Sequence, residues 1–501
     1  MSPGAPSSDA AAPPGSATPG PLVIAAVHAA VVVASWMFAT VLYALVVSRS
    51  RQLGWAALDA AVIAACVWLV RARPDALGFR SLGARRGAKL VAIIALGTAC
   101  ALIVQLAIRD RNGVWLDETH YLATVRAGHI IRDGRLPYNL RWLMPLLAGR
   151  WNIFPVDDME AVKALNFGAF AVTAALLILL LVRLRVRLGL ALAAPVFLLC
   201  SYLGIYGAIN RLVLDAFNYA MYVILFHLLI RRDHARMFAA VLLVSAWNAE
   251  KAIYWVPVFL ISALLRGEPP PPGPRPRWFA VHRHPAVKLA LWCCGPTVIY
   301  VIAIRIYLAP SVTEWNLCFE NLDVMSLTAL GAGITNAMVK PNSFQSLWLP
   351  FGPFTVYALL GFPLAERWMK PVALLLIPIT IQNLIACDGD RMVAYAFIVY
   401  LPFGYLYLAR AFTDLPRALA RALFGLVIAV TVAEHYLLPV VQRFRRYELA
   451  ADLFAASDRV KLVFSATELA LVGTILFVHL AVFPGAAGGG RTPSPPPASG
   501  A

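Results

Sequence analysis

Side chains able to move protons crowd one stretch of this 501-residue chain, GVWLDETHYLATVRAGHIIRDGRLPYNLRWLMPLLAGRWN from Gly113 to Asn152. Asp117 and Glu118 set two carboxylates side by side, which suits a general base working with a positioning or metal-binding acid. Asp117 lies three residues before His120 and four before Tyr121, so on a helix the three share one face. The stretch then turns at Pro137 and Tyr138 and returns with Arg141 and Pro145. A second reading stands beside the catalytic one: acids in the first turn of a helix are also favoured by its dipole.

Three further clusters carry charge within or beside apolar sequence. Arg211, Asp215 and Asn218 follow at spacings of four and three, as a polar stripe or as an internal ion pair tying helices together. Glu250 and Lys251 close the polar block Trp247-Asn248-Ala249-Glu250-Lys251, which interrupts an apolar run. Where a helix breaks at membrane depth, the freed backbone groups must line a cavity or be buried in protein. Asp388, Asp390 and Arg391 make a tight turn, read either as part of a site or as a solvated hairpin. Arg141, Arg211, Lys251 and Arg391 together could grip a phosphate or pyrophosphate, because Arg presents a planar fork to those oxygens. Asp59 and Glu434 each stand alone on an apolar segment and are read as snorkelling to water.

The elements that position these groups follow from composition. Sixty percent of the residues are hydrophobic and 14% charged, against about 25% charged in a soluble domain. Apolar runs recur from Pro21 to Phe483, each long enough to cross a hydrocarbon core of ~30 Å. The net charge of +17 sits in short Lys/Arg clusters between those runs. That is the pattern of cytoplasmic loops and not of a nucleic-acid surface, so no nucleic-acid partner is expected. Five of the seven cysteines, Cys66, Cys100, Cys200, Cys293 and Cys294, lie in apolar runs and read as core residues. No Cys/His spacing resembles a zinc site.

The expected fold is all-α and polytopic. Spans are predicted at 22–47, 55–70, 89–108, 160–182, 189–209, 212–230, 288–308, 346–364, 371–387, 392–410, 421–440 and 462–483. Basic clusters at 71–89, 183–187, 231–236, 266–288, 367–370 and 410–421 set the inner side. The stretch 237–265 joins two of them, so it must leave and return on one side. It is therefore read as two short helices meeting near Asn248, which gives about 14 crossings with both termini inside. Arg49, Arg51, Arg443, Arg445 and Arg446 fall on the other side under this scheme. The membrane domain covers 22–484, with outer loops at 109–156 and 309–347 and low-complexity tails at 1–21 and 485–501.

With that topology the chain resembles the GT-C glycosyltransferases, multispan enzymes that use lipid-phosphate sugar donors. The motif is LDETHYL from Leu116 to Leu122, followed by LPYNLRWLMPLLA, in the first large outer loop. The block WNAEKAIYWVP resembles a helix break with adjacent Lys and Glu in bacterial relatives, here in the order Glu250-Lys251, and DGDRMVAYAF resembles their outer Arg turn. The resemblance is to members of mannosyltransferase and arabinosyltransferase type in a bacterial cytoplasmic membrane, with the active face outside. It implies Asp117 as the base that deprotonates the acceptor, with Glu118 beside it. His120, Tyr121, Tyr138, Arg141, Arg211, Asp215, Glu250, Lys251, Asp388, Asp390 and Arg391 form the expected substrate-binding set.

The expected reaction is inverting transfer of a sugar from a polyprenyl-phosphate donor to a glycan, lipid or protein acceptor. A divalent metal ion beside the carboxylates is compatible with this set but not required by it. The alternative is a carrier or flippase of lipid-linked saccharide without chemistry, to which a discontinuous helix at 237–265 would be suited.

Overall fold

A computed structural model describes residues 79–83, 85–90, 92–93, 116–131, 141–149, 158–199, 214–230, 234–266, 284–308, 351, 353–385, 393–414, 418, 421 and 424–425. The predicted spans at 22–47, 55–70 and 462–483, the span at 421–440 apart from 421 and 424–425, the outer loop 309–347 and both tails lie outside the described residues, as do Asp59 and Glu434. Among the described residues every regular element is helical and none is a strand. The principal helices are α1 (Leu116–Ala127), α2 (Leu143–Ala148), α3 (Asp158–Arg183), α4 (Asp215–Leu229) and α5 (Ala235–Asn248). They continue with α6 (Trp255–Arg266), α7 (Pro285–Leu308), α8 (Pro353–Gly361), α9 (Leu376–Ile385) and α10 (Phe397–Asp414).

Among the described residues, two helices are long and apolar enough to cross a membrane, Ala161–Arg183 within α3 and Pro285–Leu308, which is α7. They meet their surroundings differently. Leu177, Ile178, Leu180 and Leu181 of α3 are fully enclosed, whereas α7 turns Leu291, Trp292, Ile299, Ile302 and Ile306 outward, Trp292 at 82% exposure. The segment expected as one span at 189–209 instead begins as two short helices, Leu188–Ala191 and Ala194–Leu199. The segment expected at 371–387 opens with a 3-10 turn, Lys370–Leu375, before α9. Pro371 stands in the first turn there, where a missing N–H costs least.

The stretch 235–266 is a hairpin. α5 ends at Asn248, the 3-10 turn Glu250–Tyr254 follows, and α6 carries the chain back. Phe238 near the start of α5 packs on Phe259 of α6 with ring centroids 4.5 Å apart. In one unbroken helix those residues would stand roughly 30 Å apart at 1.5 Å per residue. Ala249 breaks the helix with extended backbone at φ −159° and ψ 137°. α5 and α6 both pack along α7.

Two close approaches fix helix pairs. α8 lies against α10 so tightly that a Cβ at Gly361 would come within 1.8 Å of the Phe403 carbonyl oxygen. A Cβ at Gly149, just after α2, would sit 2.0 Å from the Val125 carbonyl oxygen of α1. α1 and α2 form their own small core from Tyr121, Leu122, Val125, Met144 and Ala148, set on Ala161 and Val162 of α3 and on Leu214. An exposed ion pair, Arg126 to Asp158 at 3.7 Å, adds a second tie from α1 to α3.

The basic helix ends gather away from the hairpin tip. Arg183 donates to the His227 carbonyl at 3.1 Å, joining the last turns of α3 and α4. The Arg266 guanidinium lies over Trp368 at 4.0 Å, joining the end of α6 to the turn before α9. His227 is separated from Asp215, at the other end of α4, by roughly 18 Å of helix.

Candidate functional site

The hairpin tip holds the charge. Arg141 reaches it from just before α2, where Leu143, Met144 and Pro145 are buried and pin the backbone. Its guanidinium forks onto Glu250, Nη2 to Oε1 at 3.2 Å and Nε to Oε2 at 3.4 Å. Its Nη1 donates to the Tyr121 hydroxyl at 3.1 Å. Such a two-point, charge-assisted contact fixes orientation as well as distance. Glu250 lies in the turn between the two helices, with 16% of its side chain exposed. Burial opposes its charge, but Arg141 beside it outweighs that and holds the carboxyl at about 2, below its ordinary 4.5.

Lys251, the next residue, turns inward. Its ammonium is 3.5 Å from Asp215 Oδ1 and its side chain is 2% exposed. It also lies 4.3 Å from the centre of the Tyr395 ring, whose negative face attracts a cation. The Tyr395 hydroxyl donates to the same Asp215 oxygen. Tyr222, two turns along α4 from Asp215, donates to the Lys251 carbonyl at 2.8 Å. Asn248 Nδ2 donates to the Leu214 carbonyl at 3.0 Å, and Ser245 Oγ to Asn218 Oδ1 at 3.4 Å. These bonds satisfy buried polar groups that would otherwise cost about 1–3 kcal/mol each.

Beside the ion pairs stands a wall of aromatics. Trp142 stacks on Trp247 with centroids 5.5 Å apart and planes 29° apart. Trp142 Nε1 donates to the Tyr300 hydroxyl at 2.7 Å, and Tyr300 meets Trp247 edge-on at 6.4 Å. All three are half-buried.

Of the residues singled out in the sequence, the structure brings Tyr121, Arg141, Asp215, Glu250 and Lys251 into one cluster from four separate segments. Asp117 and Glu118 sit in the first turn of α1, and Asp117 is one turn before Tyr121 on the same helix. Their side chains lie outside the described residues. His120 is half-buried on α1, its carbonyl accepting from Thr124 Oγ1 at 3.4 Å. Tyr138, Arg211, Asp388, Asp390 and Arg391 lie outside the described residues. Among the described residues, no three side chains of His, Cys, Asp or Glu gather as a metal-binding group.

Sequence reasoning passed over Tyr222, Tyr395, Trp142 and Tyr300. Tyr222 was recoverable as the residue two turns after Asp215, and Tyr395 as the tyrosine four places after Arg391. Nothing in the spacing couples Trp142 to Tyr300, which are 158 residues apart. Comparison with known proteins finds no matching family model, no matching curated protein and no matching solved structure.

Proposed function

We propose that this chain is a polytopic membrane glycosyltransferase of GT-C type that transfers a sugar from a polyprenyl-phosphate donor at the outer face of a bacterial cytoplasmic membrane. One observation carries the reading: α1, whose first turn bears Asp117, is tied through Tyr121 to the Arg141–Glu250 pair at the hairpin tip. A carboxylate on a braced helix beside a preorganised charged cluster is what acceptor deprotonation needs.

The placement of charge supports the membrane part. Arg183 and Arg266 lie toward the far ends of their helices from the cluster, as basic inner loops and an outer site require. The outward stripe of α7 faces lipid in this reading, and the remaining spans complete about 14 crossings.

In the reaction Asp117 takes the proton of an acceptor hydroxyl while that oxygen attacks the anomeric carbon. The bond from that carbon to the lipid phosphate breaks, the phosphate leaves as an anion, and configuration inverts. Stabilising the departing charge is the main electrostatic task. Arg141 and Lys251 already face carboxylates, so they hold the turn in place. Arg211 and Arg391 are the cations assigned to the phosphate.

The test is a purified chain given labelled polyprenyl-phosphate sugar and an acceptor. A new glycosidic product is expected. No product, together with movement of intact lipid-linked sugar between leaflets, replaces the enzyme by a carrier.

A further inference from the structure

We infer that Trp142, Trp247 and Tyr300 form a stacking shelf for a sugar ring, placed directly beside the ion-paired tip of the hairpin. The inference rests on the proposed function only for the choice of a saccharide as ligand.

The three rings come from three different elements and meet at one place. Trp142 precedes α2, Trp247 ends α5 and Tyr300 lies in the second half of α7. Each is half-buried, so each keeps part of its surface uncovered. Trp142 follows Arg141 directly, and Trp247 is three residues before Glu250. Two of the aromatic residues thus neighbour along the chain the two partners of the Arg141–Glu250 pair, whose carboxylate keeps 16% of its side chain exposed. A pyranose ring is built to match such a place, with an apolar C–H face and a rim of hydroxyls. Binding sites of this kind combine aromatic walls with a few fixed polar groups.

The obvious competitor is the aromatic belt of a membrane protein, where Trp and Tyr sit at headgroup depth. Belt tryptophans use the amphipathic ring to place the N–H toward the wet side. Here the Trp142 N–H is committed at 2.7 Å to the Tyr300 hydroxyl of another helix. That edge of the indole is held against another helix and not turned to water. Trp292 provides the contrast: it stands 82% exposed on the outer stripe of α7, with no stacking partner among the described residues.

The experiment is saturation-transfer NMR on the full chain in phosphatidylcholine nanodiscs, probed with methyl glycosides of glucose, mannose, galactose and arabinose. Irradiating the aromatic protons should saturate the C–H protons of at least one glycoside. Trp142→Ala and Trp247→Ala should each reduce that transfer about tenfold, while Trp292→Ala leaves it unchanged. Trp247→Phe retains a ring, so it should fold and keep most of the signal. Absence of transfer to every glycoside, or transfer insensitive to Trp142→Ala and Trp247→Ala, overturns the shelf. Brominated phosphatidylcholine quenching the fluorescence that these two variants remove would also overturn it, assigning the rings to lipid. The measurement needs no turnover. Transfer retained in a chain that makes no glycosidic product keeps the shelf and removes the enzyme; product formed with no role for the shelf does the reverse.

Discussion

Glu250 and Lys251 are neighbours in the chain and reach in opposite directions, the carboxylate to Arg141 and the ammonium to Asp215. The 3-10 turn makes this divergence. Three segments are thereby anchored to one turn: the loop bearing α1 and α2, the start of α4, and, through Tyr395, the approach to α10. Each pair sets one cationic side chain against one carboxylate, so the four ionisable groups of the tip carry no net formal charge.

Breaking one partner of such a pair should be costly, because the other is left charged and buried. Glu250→Ala should destabilise the protein by about 3–5 kcal/mol, the usual range for a halved buried pair. Adding Arg141→Met to it should recover part of the loss. Thermal unfolding in detergent of the two single variants and the double reads this out. Equal, additive losses would show that the pair does not act as one.

The depressed Glu250 carboxyl gives a pH dependence with a definite sign. Its folded value of about 2 lies below the ordinary 4.5, so the unfolded chain binds the proton more readily. The resulting stability is fully present above about pH 4.5 and is lost as pH falls toward about 2. Glu250→Gln should flatten this part of the acid-unfolding curve. A mutant curve parallel to wild type throughout would place the titrating group elsewhere.

In the proposed reaction Asp117→Asn removes the proton acceptor and keeps the shape, so it should abolish transfer and leave the folded state intact. Losses of about 10²–10⁴ are typical for a general base. Initial rates with the lipid-linked donor, set beside the melting temperature, separate chemistry from folding. Near-normal turnover would pass the role to Glu118.

Gly149→Ala should act at a distance on the same step. The new methyl would meet the Val125 carbonyl of α1, so α2 and α1 must part and the first turn of α1 must move. Activity should fall more than the whole-chain melting temperature does, because only the small core of α1 and α2 is disturbed. Unchanged activity would mean that α1 does not need this seating.

Sidedness is open to direct labelling. A cysteine placed at Gly389 should react with an impermeant thiol reagent from outside, and one at Gly273 should not. The opposite pattern would invert the topology and move the cluster to the inner face.

The sequence by itself determined the helical class, the apolar stripes and the break near Asn248. These are local properties: composition, period, and a polar block that an apolar helix cannot carry through. It also picked out Tyr121, Arg141, Asp215, Glu250 and Lys251 by type alone. Their partners were decided only by the tertiary structure. Asp215 is four residues from Arg211 in sequence, yet its described contacts are Lys251 and Tyr395, from a hairpin tip and a distant helix approach. Arg141 was a candidate for phosphate, and folding set it against Glu250, 109 residues away. Spacing along a chain fixes neighbours on one helix and nothing beyond it. Which charges meet across helices depends on packing of the bundle, where the desolvation of each ion has to be offset by whatever opposite charge the fold brings within reach.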